Sequence, residues 1–134
     1  MAIEIDGMTP LIFVFDMPTS IHFYRDVLGF ELINHAPEYA PGLFHWAMLR
    51  SDGVTFMLNT AYDEGDAPDK PVAARVQAHG DTQFYFGCAD LDSAYRHLLD
   101  NEIKVKPPAV ARYGFKELHF KDPDGYHLCL QHPV

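Results

Sequence analysis

Cysteine is scarce in this 134-residue chain: only Cys88 and Cys129 occur, each inside an apolar, strand-like run. Two such residues do not make a disulfide framework, and a reducing compartment is expected. Basic side chains are also few, with 10 Lys and Arg against 19 Asp and Glu for a formal net charge of −9. A surface of that sign repels phosphate backbones, which argues against nucleic acid as a partner. No apolar run reaches the roughly 20 residues that cross a bilayer. The opening MAIEIDGMTP lacks the basic start and apolar middle of a secretory signal. No membrane association is expected, and the location read from these features is cytoplasmic. What the chain does have is apolar content, 48% of its residues. That is enough for a packed core and too much for a disordered chain. Its length fits one domain of ordinary size, or two tightly joined half-domains.

The sequence repeats itself at about half its length. TPLIFVFDMPTSIHFYRDVLGFELI starts at Thr9, and QFYFGCADLDSAYRHLLDNEIKV starts at Gln83. Each opens with a run of β-branched and aromatic residues that ends on Asp, at Asp16 and Asp90, and each then turns helical. The first helix should begin near Pro18, with Asp16, Thr19 or Ser20 satisfying free amides. Ile21, Tyr24, Arg25 and Leu28 recur at helical spacing, and Gly29 is a natural stop. In the second helix Leu91, Tyr95, Leu98 and Leu99 form one stripe, ending near Asn101. Strand patterns follow at Phe44 to Leu49 and Val54 to Leu58, then at Phe115 to Phe120 and His127 to Gln131. Asp122-Pro123-Asp124-Gly125 is a turn signal that joins the last two strands as a hairpin. Between the halves, Thr60 to Gly80 reads as a solvated linker with room for a short helix around Val72 to Gln77.

These residues carry a family resemblance. VFDMPTSIHFYRDVLGFEL, GVTFML and FKDPDGYHLCLQ together resemble the glyoxalase/bleomycin resistance protein/dioxygenase (vicinal oxygen chelate) superfamily across nearly the whole chain. The resemblance implies an α+β fold of two βαβββ modules, whose strongly curved mixed sheets form a cup. One vicinal-oxygen-chelate-type domain would span 1–134, with module one about 8–60, a linker about 61–80 and module two about 81–132. It also implies a homodimer and a small-molecule ligand.

Superfamily enzymes hold a divalent ion in the cup, with His seven residues before the first-strand Asp and an acidic or amide residue in the fourth strand of each module. Here those positions hold Thr9, Met57, Gln83 and Cys129. Hydroxyl, thioether, amide and thiol are a poor set for one hard or borderline ion. No cofactor is therefore expected, and a divalent metal stays open only through displaced ligands. Alternation offers such a set. Glu117 and His119 share one face of their strand, and His127 and Cys129 share one face of the next. If the two faces coincide, Glu117, His119 and His127 are catalytic candidates for proton transfer or a displaced metal site. The plainer reading makes them rim or solvent-facing positions of an edge hairpin, and it is preferred from sequence alone.

The same alternation sends Ile12, Val14, Phe84, Phe86 and Cys88 toward the helices. Thr9, Leu11, Phe13, Trp46, Met57, Asn59, Gln83 and Tyr85 are left as ligand-binding candidates, with Met48 beside them and Cys129 at its superfamily position. Tyr113, just before the last hairpin, is a candidate lid residue. An aromatic and thioether wall with amide tips suits a flat, largely apolar ligand. The function expected is therefore metal-independent binding of a hydrophobic or aromatic small molecule. The alternative is a metal-dependent lyase, isomerase or extradiol-type dioxygenase using displaced ligands. His22, His35, His79, His97 and His132 are expected in solvent.

Overall fold

The structure, a computed structural model, describes residues 2–134. The chain forms two compact units, one running to Ala67 and the other from Pro68 to Val134. Each contains one four-stranded mixed sheet with helices, giving the α+β class and the two βαβββ modules expected.

In unit 1, strand β1 (Leu11–Val14) leads into helix α1 (Met17–Ile21) and its continuation His22–Val27. Strands β2 (Glu31–His35), β3 (Trp46–Ser51) and β4 (Val54–Thr60) follow. The sheet order is β1-β4-β3-β2, with β1 parallel to β4 and the other pairs antiparallel. The Asp16 carboxylate caps α1 by accepting the Thr19 amide at 3.0 Å, which satisfies one of the amides a helix start leaves bare. His22–Val27 is wound as a π-helix rather than an α-helix, with the Leu28 amide reaching back five residues to the Phe23 carbonyl at 3.0 Å. The wider turn changes the buried stripe to Ile21, Phe23, Tyr24 and Val27, and Arg25 of the expected stripe is exposed. Gly29, at φ +87°, ends the helix as expected. Under it, Tyr24, Phe30 and Phe56 pack edge to face at centroid distances of 4.8 to 6.1 Å.

In unit 2, helix α2 (Ala73–His79) precedes strand β5 (Gln83–Gly87), helix α3 (Leu91–Asp100) and strands β6 (Ala109–Val110), β7 (Phe115–Lys121) and β8 (His127–Pro133). The order β5-β8-β7-β6 repeats the pattern of the first sheet. Asp90 caps α3 through the Ser93 amide and hydroxyl, at 3.0 and 2.8 Å. Leu91 and Leu98 are buried, whereas Leu99 from the expected stripe stays 44% exposed. The expected hairpin joins β7 to β8, with the Asp122 carboxylate accepting the Asp124 and Tyr126 amides at 2.9 Å each. His79, expected in solvent, instead stacks on Tyr126 at 4.1 Å and hydrogen-bonds the Asp124 carbonyl.

Candidate functional site

One face of each sheet is covered by its own helix and the other is not. In unit 1, Ile12, Val14, Ala47, Leu49, Phe56 and Leu58 are buried on the helix side. Leu11 and Phe13 point the other way and remain 40% and 43% exposed. The parallel register sets Leu11 beside Met57 and Phe13 beside Asn59, and the β3–β4 ladder adds Trp46 and Met48 to the same face. Five of the sequence candidates (Leu11, Phe13, Trp46, Met57 and Asn59) are thus brought onto one surface. Thr9 lies just before β1 and is exposed. Asn34 joins them opposite Met48. Sequence reading missed it because a bulge between Leu32 and Asn34 shifts the alternation of β2.

The open face of unit 2 is polar. Gln83 and Tyr85 of β5 lie beside His127 and Cys129 of β8, and the β7–β8 register sets His119 opposite Cys129 and Glu117 opposite Gln131. The two hairpin faces therefore coincide. Glu117 and Cys129 are buried there rather than lying at a rim, while His119 is 41% exposed. His119 Nε2 stands 3.0 Å from Glu117 Oε1, and its Nδ1 stands 2.7 Å from His127 Nε2. The Tyr113 hydroxyl donates to Glu117 Oε2, so this exposed residue holds the carboxylate. Tyr85 sits edge-on to the His119 ring and donates its hydroxyl to the Gln83 side chain. Gln131 was missed, although the alternation His127, Cys129, Gln131 marks it.

Electrostatics follow from these contacts. Hydrogen bonds from Tyr113 and His119 hold the Glu117 carboxyl below the usual carboxylate range. The same bond pushes the Tyr113 hydroxyl up to about 12. Burial raises the Cys129 thiol to about 11, with the Glu117 charge adding to it. Burial also lowers His127, with His119 and Lys121 contributing. An acid held ionised beside an imidazole pair is an acid/base arrangement.

The superfamily's metal positions do not fit an ion. In unit 1 they supply a hydroxyl, Thr9, just before β1, and a thioether, Met57, beside Leu11 and Met48. In unit 2 they supply an amide that already accepts the Tyr85 hydroxyl and a buried thiol. Imidazole and carboxylate, the donors such sites use, are missing from all four positions.

Comparison with known proteins bears on the fold. No curated protein matches the chain in sequence. Among solved structures, the glyoxalase/bleomycin resistance protein/dioxygenase from Nocardioides is 20% identical at a TM-score of 0.69, covering 99% of this chain and 87% of that one. Lactoylglutathione lyase from Agrobacterium tumefaciens is 18% identical at 0.67, covering 94% and 92%. TnmS3, described as an antibiotic binding protein from Streptomyces sp. CB03234, is 22% identical at 0.65, covering 100% and 99%. The family model of the Glyoxalase/Bleomycin resistance protein/Dioxygenase superfamily matches residues 5–130. With the FYRDVLGF helix, the DPDG turn and all but the last three residues of the second βαβββ unit's final strand inside that match, the chain belongs to this superfamily.

Proposed function

We propose that this chain is a small-molecule-binding protein whose ligand is flat and largely apolar. The observation that carries the proposal is the partly exposed apolar wall of unit 1. Leu11 and Phe13 are at least two-fifths exposed on strand positions whose neighbours are fully packed. Large apolar groups gain about 25 cal/mol per Å² when a ligand covers them. Trp46, Met48 and Met57 extend the wall, and the Asn59 amide supplies an orienting polar group. Recognition of this kind needs no metal ion. TnmS3, a structural relative described as an antibiotic binding protein, supports small-molecule binding but not a particular ligand shape.

Trp46 is the chain's single tryptophan, so its fluorescence reports on this wall directly. Titration with polycyclic aromatic compounds and with bleomycin should give saturable quenching for at least one of them, and Phe13→Ser should abolish it. Absence of saturable quenching across the panel, or quenching unchanged in Phe13→Ser, would overturn the reading.

A second reading is favoured by the Glu117–His119–His127 chain of hydrogen bonds. There, the protein is an enzyme of lyase, isomerase or extradiol-dioxygenase type, with His119 moving a proton under the control of the Glu117 carboxylate. Turnover of lyase or dioxygenase substrates that is lost in His119→Ala would establish it. Turnover that His119→Ala leaves intact would exclude His119 from that role.

A further inference from the structure

Three donor atoms of different chemistry converge on the open face of the second sheet. A Glu117 carboxylate oxygen, a His119 ring nitrogen and Cys129 Sγ all lie within 4.8 Å of one another. His119 Nε2 is 3.0 Å from Glu117 Oε1 and 3.8 Å from Cys129 Sγ. Donors at zinc-ligand distances of about 2.0–2.3 Å in a tetrahedral shell stand roughly 3.3–3.8 Å from each other. The two His119 spacings thus lie close to that range, and the Glu117–Cys129 pair, within 4.8 Å, needs at most about 1 Å of closure to share one ion.

We propose that unit 2 alone holds a zinc-type divalent cation through Glu117, His119 and Cys129, with the fourth position open. Only Cys129 coincides with a superfamily ligand position, and unit 1 supplies no ligand. The backbone dictates the grouping. His119 and Cys129 are register partners on neighbouring strands, and Glu117 lies two residues along the same face. A thiolate paired with an imidazole selects zinc over magnesium, calcium or manganese. His119, two-fifths exposed, leaves the ion a way in from solvent.

The surrounding groups are placed to support such a site. To ligate through Nε2, the His119 ring must carry its proton on Nδ1, and His127 Nε2 stands 2.7 Å away to accept it. The Tyr113 hydroxyl occupies Glu117 Oε2 and so leaves Oε1 turned toward His119. His127 and Tyr113 are thus positioning residues. Binding forms a metal–sulfur bond and breaks the Cys129 S–H bond, and that proton passes to solvent.

The test uses the full chain, stripped with chelator and titrated with ZnCl2 or CoCl2 alone. One ion per chain is expected, and the cobalt form should show a thiolate-to-cobalt charge-transfer band in the near ultraviolet. Cys129→Ser should remove that band, while Cys88→Ser leaves it intact. His127→Ala should weaken zinc binding roughly 10- to 100-fold, and His119→Ala should weaken it more. Circular dichroism checks that each variant is folded. Should Cys129→Ser fail to fold, the cobalt spectrum of the unmodified protein and the His119→Ala titration decide. The absence of a charge-transfer band in the unmodified protein overturns the proposal. So does binding retained in both Cys129→Ser and His119→Ala, which would mark adventitious capture by other histidines. No apolar ligand enters this experiment, so its failure and the failure of the apolar-ligand proposal are read separately.

Discussion

Gly125 completes the turn before β8 with φ +87°, and a Cβ built on it would meet the Val76 carbonyl oxygen at 2.5 Å and Val76 Cγ1 at 2.8 Å. The glycine is required twice, by its backbone conformation and by the closeness of α2. Gly125→Ala should therefore cost more than the 1–2 kcal/mol or so of left-handed strain alone, seen as a lower urea midpoint. An unchanged midpoint would mean that α2 moves aside freely. Asp90 shows the other kind of single-residue control. Its bonds from the Ser93 amide and hydroxyl hold the carboxyl below the usual Asp range, with Arg96 and Lys116 adding smaller effects. A carboxyl depressed by folding stabilises above its unfolded value, about 3.9. That contribution disappears as pH falls through the lower folded value. Asp90→Ala should therefore melt below the unmodified chain at neutral pH, and the two melting temperatures should approach each other as pH drops below about 4. A gap that stays constant down to pH 2 would assign the effect to something other than the ionised cap.

At the scale of the strand, β4 holds two kinds of residue in alternation. Leu58 is fully buried against the helix side, while Met57, next to it, is on the open face beside Leu11 and Met48. Leu58→Ala should cost about 2–5 kcal/mol of stability. Met57→Ala should cost well under that and instead weaken capture of an aromatic ligand, as measured by Trp46 quenching. Equal destabilisation by both would mean that the Met57 face is also core. This alternation was legible in the sequence, as were the paired strand–Asp–helix openings and the Asp122 to Gly125 turn, because each rests on local side-chain chemistry. The π-helical turn at His22–Val27 was not legible, since its six residues read equally well at α-helical spacing. The bulge that puts Asn34 beside Met48 leaves no compositional mark either. The cluster on unit 2 lies between these cases. Counting outward from the Asp122–Tyr126 turn sets Lys121 opposite His127 and hence His119 opposite Cys129. Which face is covered by α3, however, is decided by packing and not by the count.

On the scale of the whole chain, two sheets of the same topology have diverged in the chemistry of their open faces. Unit 1 presents Leu11, Phe13, Trp46, Met48 and Met57, whereas unit 2 presents Glu117, His119, His127 and Cys129. Such a division predicts two binding activities that can be lost one at a time. Exhaustive dialysis against a chelator should leave the affinity for an aromatic ligand unchanged, because dispersion and burial on the first sheet require no ion. Phe13→Ser, in turn, should leave the cobalt spectrum unchanged, because no residue of unit 1 is a proposed ligand. The measurement is a two-by-two comparison: quenching and charge-transfer absorption, each in the chelated and the Phe13→Ser protein. If chelation weakens quenching tenfold, about 1.4 kcal/mol, the ion and the apolar ligand are coupled. Coupling of that size would overturn metal-independent binding, and the enzyme reading would then displace it.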